Sequence, residues 1–144
     1  MQTLRHVVAG TDFSGHAEWA IELAIELALA ANARVTVVHV CELGADQLDD
    51  ERLRRGGETL ARWVAERKRG GVCLTGVLRS GRPWEKLDNV AAEVGASLIV
   101  VGRHGAGRGR SVELGSVAEH LVRSASRPVV TVANDFDGSE GRQK

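Results

Sequence analysis

The sequence predicts an α/β fold: a doubly wound, five-stranded parallel sheet sandwiched by helices. Three observations carry that reading. Short β-branched apolar runs alternate with segments of helical periodicity along the chain. The strand runs are apolar at successive positions, as in strands covered on both faces, rather than alternating. Glycine and proline fall at the joints between the two kinds of segment.

The first run, His6-Val7-Val8-Ala9-Gly10, is a strand that ends in a polar turn, Thr11-Asp12-Phe13-Ser14. A helix follows over residues 18–31, where Trp19, Leu23, Leu27 and Ala30 recur at helical spacing. Val35-Thr36-Val37-Val38-His39-Val40 is the clearest strand, too apolar to have a wet face. A polar stretch leads to a charged helix over residues 51–69, with Leu53, Leu60, Trp63 and Val64 as its apolar stripe. Gly56 and Gly57 weaken its first turns, and Gly70-Gly71 stops it. Residues 72–78 form a third strand. Pro83 stands where a helix begins, and Leu87, Val90, Ala91 and Val94 carry that helix to Gly95. Residues 97–101 make a fourth strand, residues 117–124 a helix, and Val129 to Val132 a fifth strand after Pro128. Right-handed crossovers between successive strands then place helices on both faces.

A chain of 144 residues, 43% hydrophobic, suits one domain with a buried core. Its 19 basic residues are balanced by 19 acidic ones, whereas nucleic-acid binders usually show a basic excess, so no nucleic acid is expected as partner. Cys41 and Cys73 lack the spacing of a redox or zinc motif and are expected to be buried as small hydrophobes. Trp19, Trp63 and Trp84 lie on helices and are expected to pack. Arg5 and His6 interrupt any signal-peptide pattern at the start, and no apolar run approaches the ~20 residues of a membrane span. The cytoplasm is the expected compartment and no membrane partner is expected.

Ligands of open α/β sheets bind beyond the carboxyl ends of the strands, where strand order reverses. Thr11, Asp12 and Ser14 follow the first strand, Val40 and Cys41 end the second, and a segment of four glycines and three arginines, residues 102–111, follows the fourth. It runs into a helix opened by Gly115-Ser116. Glycines let backbone N–H groups approach a ligand, and a helix N-terminus offers unpaired N–H groups and a positive dipole end. An anion suits that place; a mobile loop whose glycines only permit turning is the alternative. A Walker A loop is excluded because the loop has no lysine, and the dinucleotide fingerprint is absent from the first helix, where only Gly10 and Gly15 occur.

Gly102-x-x-Gly105, nine residues, then Gly115-Ser116 resembles the G-2x-G-9x-G-(S/T) loop of ATP-binding universal stress proteins. Val8 to Ser14, Gly81-x-Pro83, Ile99 to Gly102 and Arg127-Pro128-Val129-Val130 resemble that family's opening strand and acidic turn, third strand-to-helix junction, fourth strand and closing strand. The likeness covers about residues 4 to 133, so residues 1–133 read as a single universal stress protein domain and residues 134–144 as a polar tail expected to be disordered. The resemblance implies strand order 3-2-1-4-5 in a Rossmann-like universal stress protein / adenine nucleotide alpha hydrolase-like fold, with ATP between strands one and four. By that resemblance, Asp12, beside Thr11, lies by the nucleoside and Val40 meets the adenine. Gly102 and Gly105, with Arg103 and His104 beside them, approach the ribose and phosphates, and Gly115, Ser116 and Val117 hold the phosphates. It also implies a homodimer through Val129–Val132, which would cover a valine-rich edge. Arg108, Arg110 and Glu113 make the loop more polar than in many relatives; they either reach the phosphates or are solvated.

Single residues leave alternatives. Ser14 is the natural cap of the first helix, which would leave Asp12 for the ligand. His104 is either a phosphate contact or an exposed loop residue, and His39 is a core or rim residue. The five histidines show no metal spacing, so no protein metal site is expected, although Mg²⁺ or Mn²⁺ can ride on phosphate oxygens. Three functions are compatible: an ATP-binding stress regulator or sensor, a family member that works through protein contacts without ATP, or a slow ATPase or nucleotidyl transferase. Only His104 and Glu113 lie near a γ-phosphate and neither has a visible partner, so efficient catalysis, and any catalytic residue, is not expected.

Overall fold

The computed structural model describes residues 3–42, 50–104 and 114–133. Five strands and four helices alternate: β1 (His6–Gly10), α1 (Gly15–Ala31), β2 (Arg34–Cys41), α2 (Asp50–Glu66), β3 (Cys73–Ser80), α3 (Pro83–Val94), β4 (Leu98–Gly102), α4 (Ser116–Ser124) and β5 (Val129–Val132). The sheet is wholly parallel in the order β3-β2-β1-β4-β5, as the resemblance implied. Val7 of central β1 pairs with Val35 on one side and Leu98 on the other. The order reverses between β1 and β4, and that reversal fixes where a site can form.

The strands read as continuous apolar runs because both faces are covered. Val7, Ala9, Val35 and Val37 pack under α1 and α2 with Ile21, Ile25, Leu60 and Val64. Val8, Val38, Val40 and Ile99 pack on the other face under α3 and α4 with Leu87, Val90 and Leu121. Thr36 is buried as well, and its Oγ1 shares a 2.7 Å hydrogen bond with His6 Nε2.

Three sequence expectations are corrected. The buried face of α1 is Ala17, Ala20, Ile21, Ala24, Ile25 and Ala28, not the Trp19-Leu23-Leu27-Ala30 stripe. Small alanines let this helix lie close on the sheet, and that turns Trp19 outward at 48% exposure, so Trp19 is not a packing residue of this core. Trp63 does pack, edge-on to Phe13. Cys41 is buried, and burial raises its thiol pKa despite the opposing charge of Arg52. Cys73 is exposed, because it opens β3, an edge strand of the sheet. Gly56 and Gly57 stay within α2; a Cβ on Gly56 would stand 3.1 Å from Cys41 Sγ, so the glycine lets helix and strand approach. The expected tail over residues 134–144 lies outside the described residues.

Candidate functional site

The β1–α1 turn is held by its own side chains. Thr11 N extends the sheet by donating to Val38 O at 2.9 Å. Thr11 Oγ1 accepts from Phe13 N at 2.9 Å, Asp12 Oδ1 accepts from Ser14 N at 3.0 Å, and Ser14 Oγ accepts from Ala17 N at 3.3 Å. Ser14 is thus the cap, as expected, but Asp12 is not left wholly to a ligand, since one of its oxygens braces the turn. Phe13 adopts a left-handed φ of 66°. Its ring lies 4.3 Å from that of His39, whose Nδ1 donates to the Thr11 carbonyl at 2.9 Å. His39 is accordingly a rim residue that props the turn.

At the other side of the reversal, Arg103 N donates to Val132 O and Gly115 N donates to Arg103 O, both at 2.8 Å. These bonds bring the start of α4 back beside the end of β4. Gly115, the N-cap, has an ordinary φ of −68° and supplies no side-chain cap. Helix geometry leaves the first-turn N–H groups of α4 without intrahelical partners, and Ser116, Val117 and Ala118 border the space in front of them.

That space is a cleft of about 440 Å³ at the carboxyl ends of β1 and β4. Of the expected site residues, Thr11, Asp12, Val40, Gly102, Arg103, His104, Gly115, Ser116 and Val117 all line it. Gly105, and with it Arg108, Arg110 and Glu113, lies outside the described residues. Sequence reasoning missed its apolar floor: Val38, Pro83, Leu87 and Val101. Period-two alternation along β2 was the signal for Val38, which shares a face with Val40. Such a floor suits a flat apolar moiety, and the helix terminus with Arg103 suits an anionic one.

His104 is not an exposed loop residue; it is 4% exposed at the cleft wall. The rim carries a second aromatic feature. Trp84, next to Pro83, stacks on His120 of α4 with centroids 4.9 Å apart and planes 8° from parallel. His120 Nδ1 donates to the Ser116 carbonyl at 2.8 Å, pinning the first turn of α4 to α3. Among the described residues no helix is long and apolar enough to cross a membrane.

Comparison with known proteins agrees with this architecture. The family model described as "Universal stress protein family" matches residues 3–133. The "Universal stress protein in QAH/OAS sulfhydrylase 3'region" of Thermus aquaticus is 35% identical over 136 residues, which cover 88% of this chain and 96% of that protein. Among solved structures, MJ0577 of Methanocaldococcus jannaschii superposes with a TM-score of 0.82 at 21% identity, over 94% of this chain and 100% of that one, a likeness of fold. A universal stress protein from Archaeoglobus fulgidus, solved in complex with dAMP, superposes with a TM-score of 0.71 at 26% identity, over 91% of this chain and 99% of that one. With the strand order, the cleft and a family match over nearly the whole described chain in agreement, the chain belongs to the universal stress protein family.

Proposed function

We propose that this chain binds an adenine nucleotide, ATP by the loop spacing, in the cleft between β1 and β4, and acts in the cytoplasm as a nucleotide-dependent stress regulator rather than an efficient enzyme. One observation carries the reading: the α4 N-terminus, uncapped by any side chain of Gly115, opens onto a cleft with an apolar floor and a polar rim. The dAMP complex of the Archaeoglobus relative supports a purine nucleotide as the ligand class. In this reading the adenine lies by Val40, with Thr11 and Asp12 at the nucleoside. Gly102, Gly105, Arg103 and His104 flank the ribose and phosphates, and Gly115, Ser116 and Val117 receive the phosphates. Mg²⁺ or Mn²⁺ would be carried on phosphate oxygens with its own waters.

The regulatory part of the reading supposes a homodimer through β5. That strand pairs with β4 on one side and is an edge of the sheet on the other, with all four of its residues half-buried. Calorimetric titration of ATP, ADP, AMP and cyclic AMP, with and without Mg²⁺, tests the binding. Saturable ATP binding supports the proposal, and no heat with any nucleotide overturns it. Sedimentation with and without ATP then reads the dimer.

A further inference from the structure

The donors in the first turn of α4 can be followed one by one. Gly115 N is spent on Arg103 O at 2.8 Å. Helix geometry leaves the N–H groups of Ser116, Val117 and Ala118 without intrahelical partners, and all three residues border the cleft. His104 lines the same cleft at 4% exposure. Its ring meets that of His16 edge to face, and neither of its nitrogens has a hydrogen-bond partner. Open helix N–H groups beside a buried, unpartnered imidazole point to a polar, anionic occupant at this end of the cleft.

One side chain braces that turn from behind. His120 Nδ1 lies 2.8 Å from Ser116 O, and because a carbonyl only accepts, the ring is the donor. The backbone N–H of His120 reaches the same oxygen by helix geometry, so Ser116 O accepts twice. Ser116 C=O and Val117 N–H belong to one peptide unit. A hydrogen bond accepted by the carbonyl polarises that unit and makes its N–H a stronger donor. The ring is itself fixed from outside α4: Trp84 stacks on it, with centroids 4.9 Å apart and planes 8° from parallel. Trp84 belongs to α3, between Pro83 and Leu87, which both line the cleft. The stack therefore joins the two helices that wall the cleft.

We propose that His120, clamped by Trp84, is a positioning residue for the phosphate end of the cleft's ligand. Neither His120 nor Trp84 lines the cleft, so the pair acts through the Ser116–Val117 peptide and not by touching the ligand. A polarised N–H acts on an anionic oxygen and leaves the apolar floor under Val38 and Leu87 unaffected. The pair therefore sets how much a phosphate adds to binding, and not how tightly the rest of the ligand is held. The proposal rests on the nucleotide reading for the remainder of the ligand, but not for its anionic end.

The test titrates the full chain with three probes: ATP and inorganic tripolyphosphate by calorimetry, and adenosine by ligand-observed NMR. His120→Phe keeps an aromatic ring against Trp84 and removes the donor to Ser116 O. It should weaken ATP and tripolyphosphate by roughly 2–10-fold, the span of one net hydrogen bond, and leave adenosine unchanged. Trp84→Leu should shift the same two probes in the same direction. The double variant should lose no more than His120→Phe alone, since Trp84 acts through His120. Circular dichroism checks that each variant folds. An unchanged ATP and tripolyphosphate affinity in folded His120→Phe overturns the proposal. Equal losses for ATP and adenosine overturn it too, because they mark a merely structural role. A wild-type chain that binds tripolyphosphate but neither ATP nor adenosine sinks the nucleotide reading alone, and the tripolyphosphate comparison still decides the positioning role. Binding of none of the three overturns both.

Discussion

The carbonyl oxygens of His16 and His104 close on Gly102, lying 3.0 Å and 3.1 Å from where its Cβ would stand. Glycine at this position is thus required by protein packing, whatever ligand approaches it from the cleft. Backbone atoms yield less readily than a flexible side-chain end, so Gly102→Ala should destabilise the fold by about 1–3 kcal/mol, as overpacking does. Urea unfolding measures this. A variant with the wild-type midpoint would show that the His104 segment moves aside freely.

Gly115 presents the opposite case. It lines the cleft at an ordinary φ of −68°, so a side chain there meets no backbone strain. Gly115→Val should keep the wild-type circular dichroism yet lose detectable ATP binding by calorimetry, because its branched side chain occupies the approach to the α4 N-terminus. Unchanged affinity in the folded variant would remove Gly115 from the proposed phosphate site.

Phe13 holds φ at 66°, a region that costs an L-residue roughly 1–2 kcal/mol relative to glycine. Its packing on His39 and Trp63 offsets that strain. Two truncations separate the terms. Phe13→Ala loses the packing and keeps the strain, whereas Phe13→Gly loses both. The glycine variant should therefore be the more stable of the two, by about 1 kcal/mol in denaturant unfolding. An alanine variant as stable as the glycine variant would mean that the turn relaxes once the ring is gone.

His6 gives the fold a pH dependence. Burial, and after it the Arg34 guanidinium, hold its imidazole below the ordinary value of 6.5. The unfolded chain then binds the proton more readily than the native one. Stability from this ring is whole above the unfolded pKa and declines as pH falls through it toward the lower folded value. Between about pH 7 and pH 5, where histidine titrates, His6→Gln should flatten the dependence of the urea midpoint on pH relative to wild type. Identical slopes would place the pH dependence elsewhere.

Much of this architecture is legible in the sequence, for identifiable reasons. β1 and β5 can be bounded to the residue because His6 to Gly10 is a short apolar run closed by the polar turn at Thr11, and Val129 to Val132 is a β-branched run opened by Pro128. Pro83 and Gly95 mark the two ends of α3 by their backbone restrictions. The buried face of α1 is not legible from bulk. Alanine faces the sheet and tryptophan faces water, an arrangement set by how close the helix lies rather than by side-chain hydropathy. Arg103 and Ser116 can be located by loop spacing, but the His16–His104 encounter cannot. It joins segments far apart in the chain, and the parallel pairing of β1 with β4 brings them together.

The stack of Trp84 on His120 has an optical consequence. The chain contains three tryptophans and no tyrosine, so its near-ultraviolet emission is indole emission, divided among three unlike surroundings. Trp19 looks into solvent. Trp63 lies 3.8 Å beneath the Arg67 guanidinium. Trp84 lies flat against an imidazole, and its chain neighbour Pro83 forms part of the cleft wall. Trp19 on one face of the sheet and Trp84 on the other thus emit from unlike settings, one open to water and one stacked on an imidazole beside a residue of the cleft.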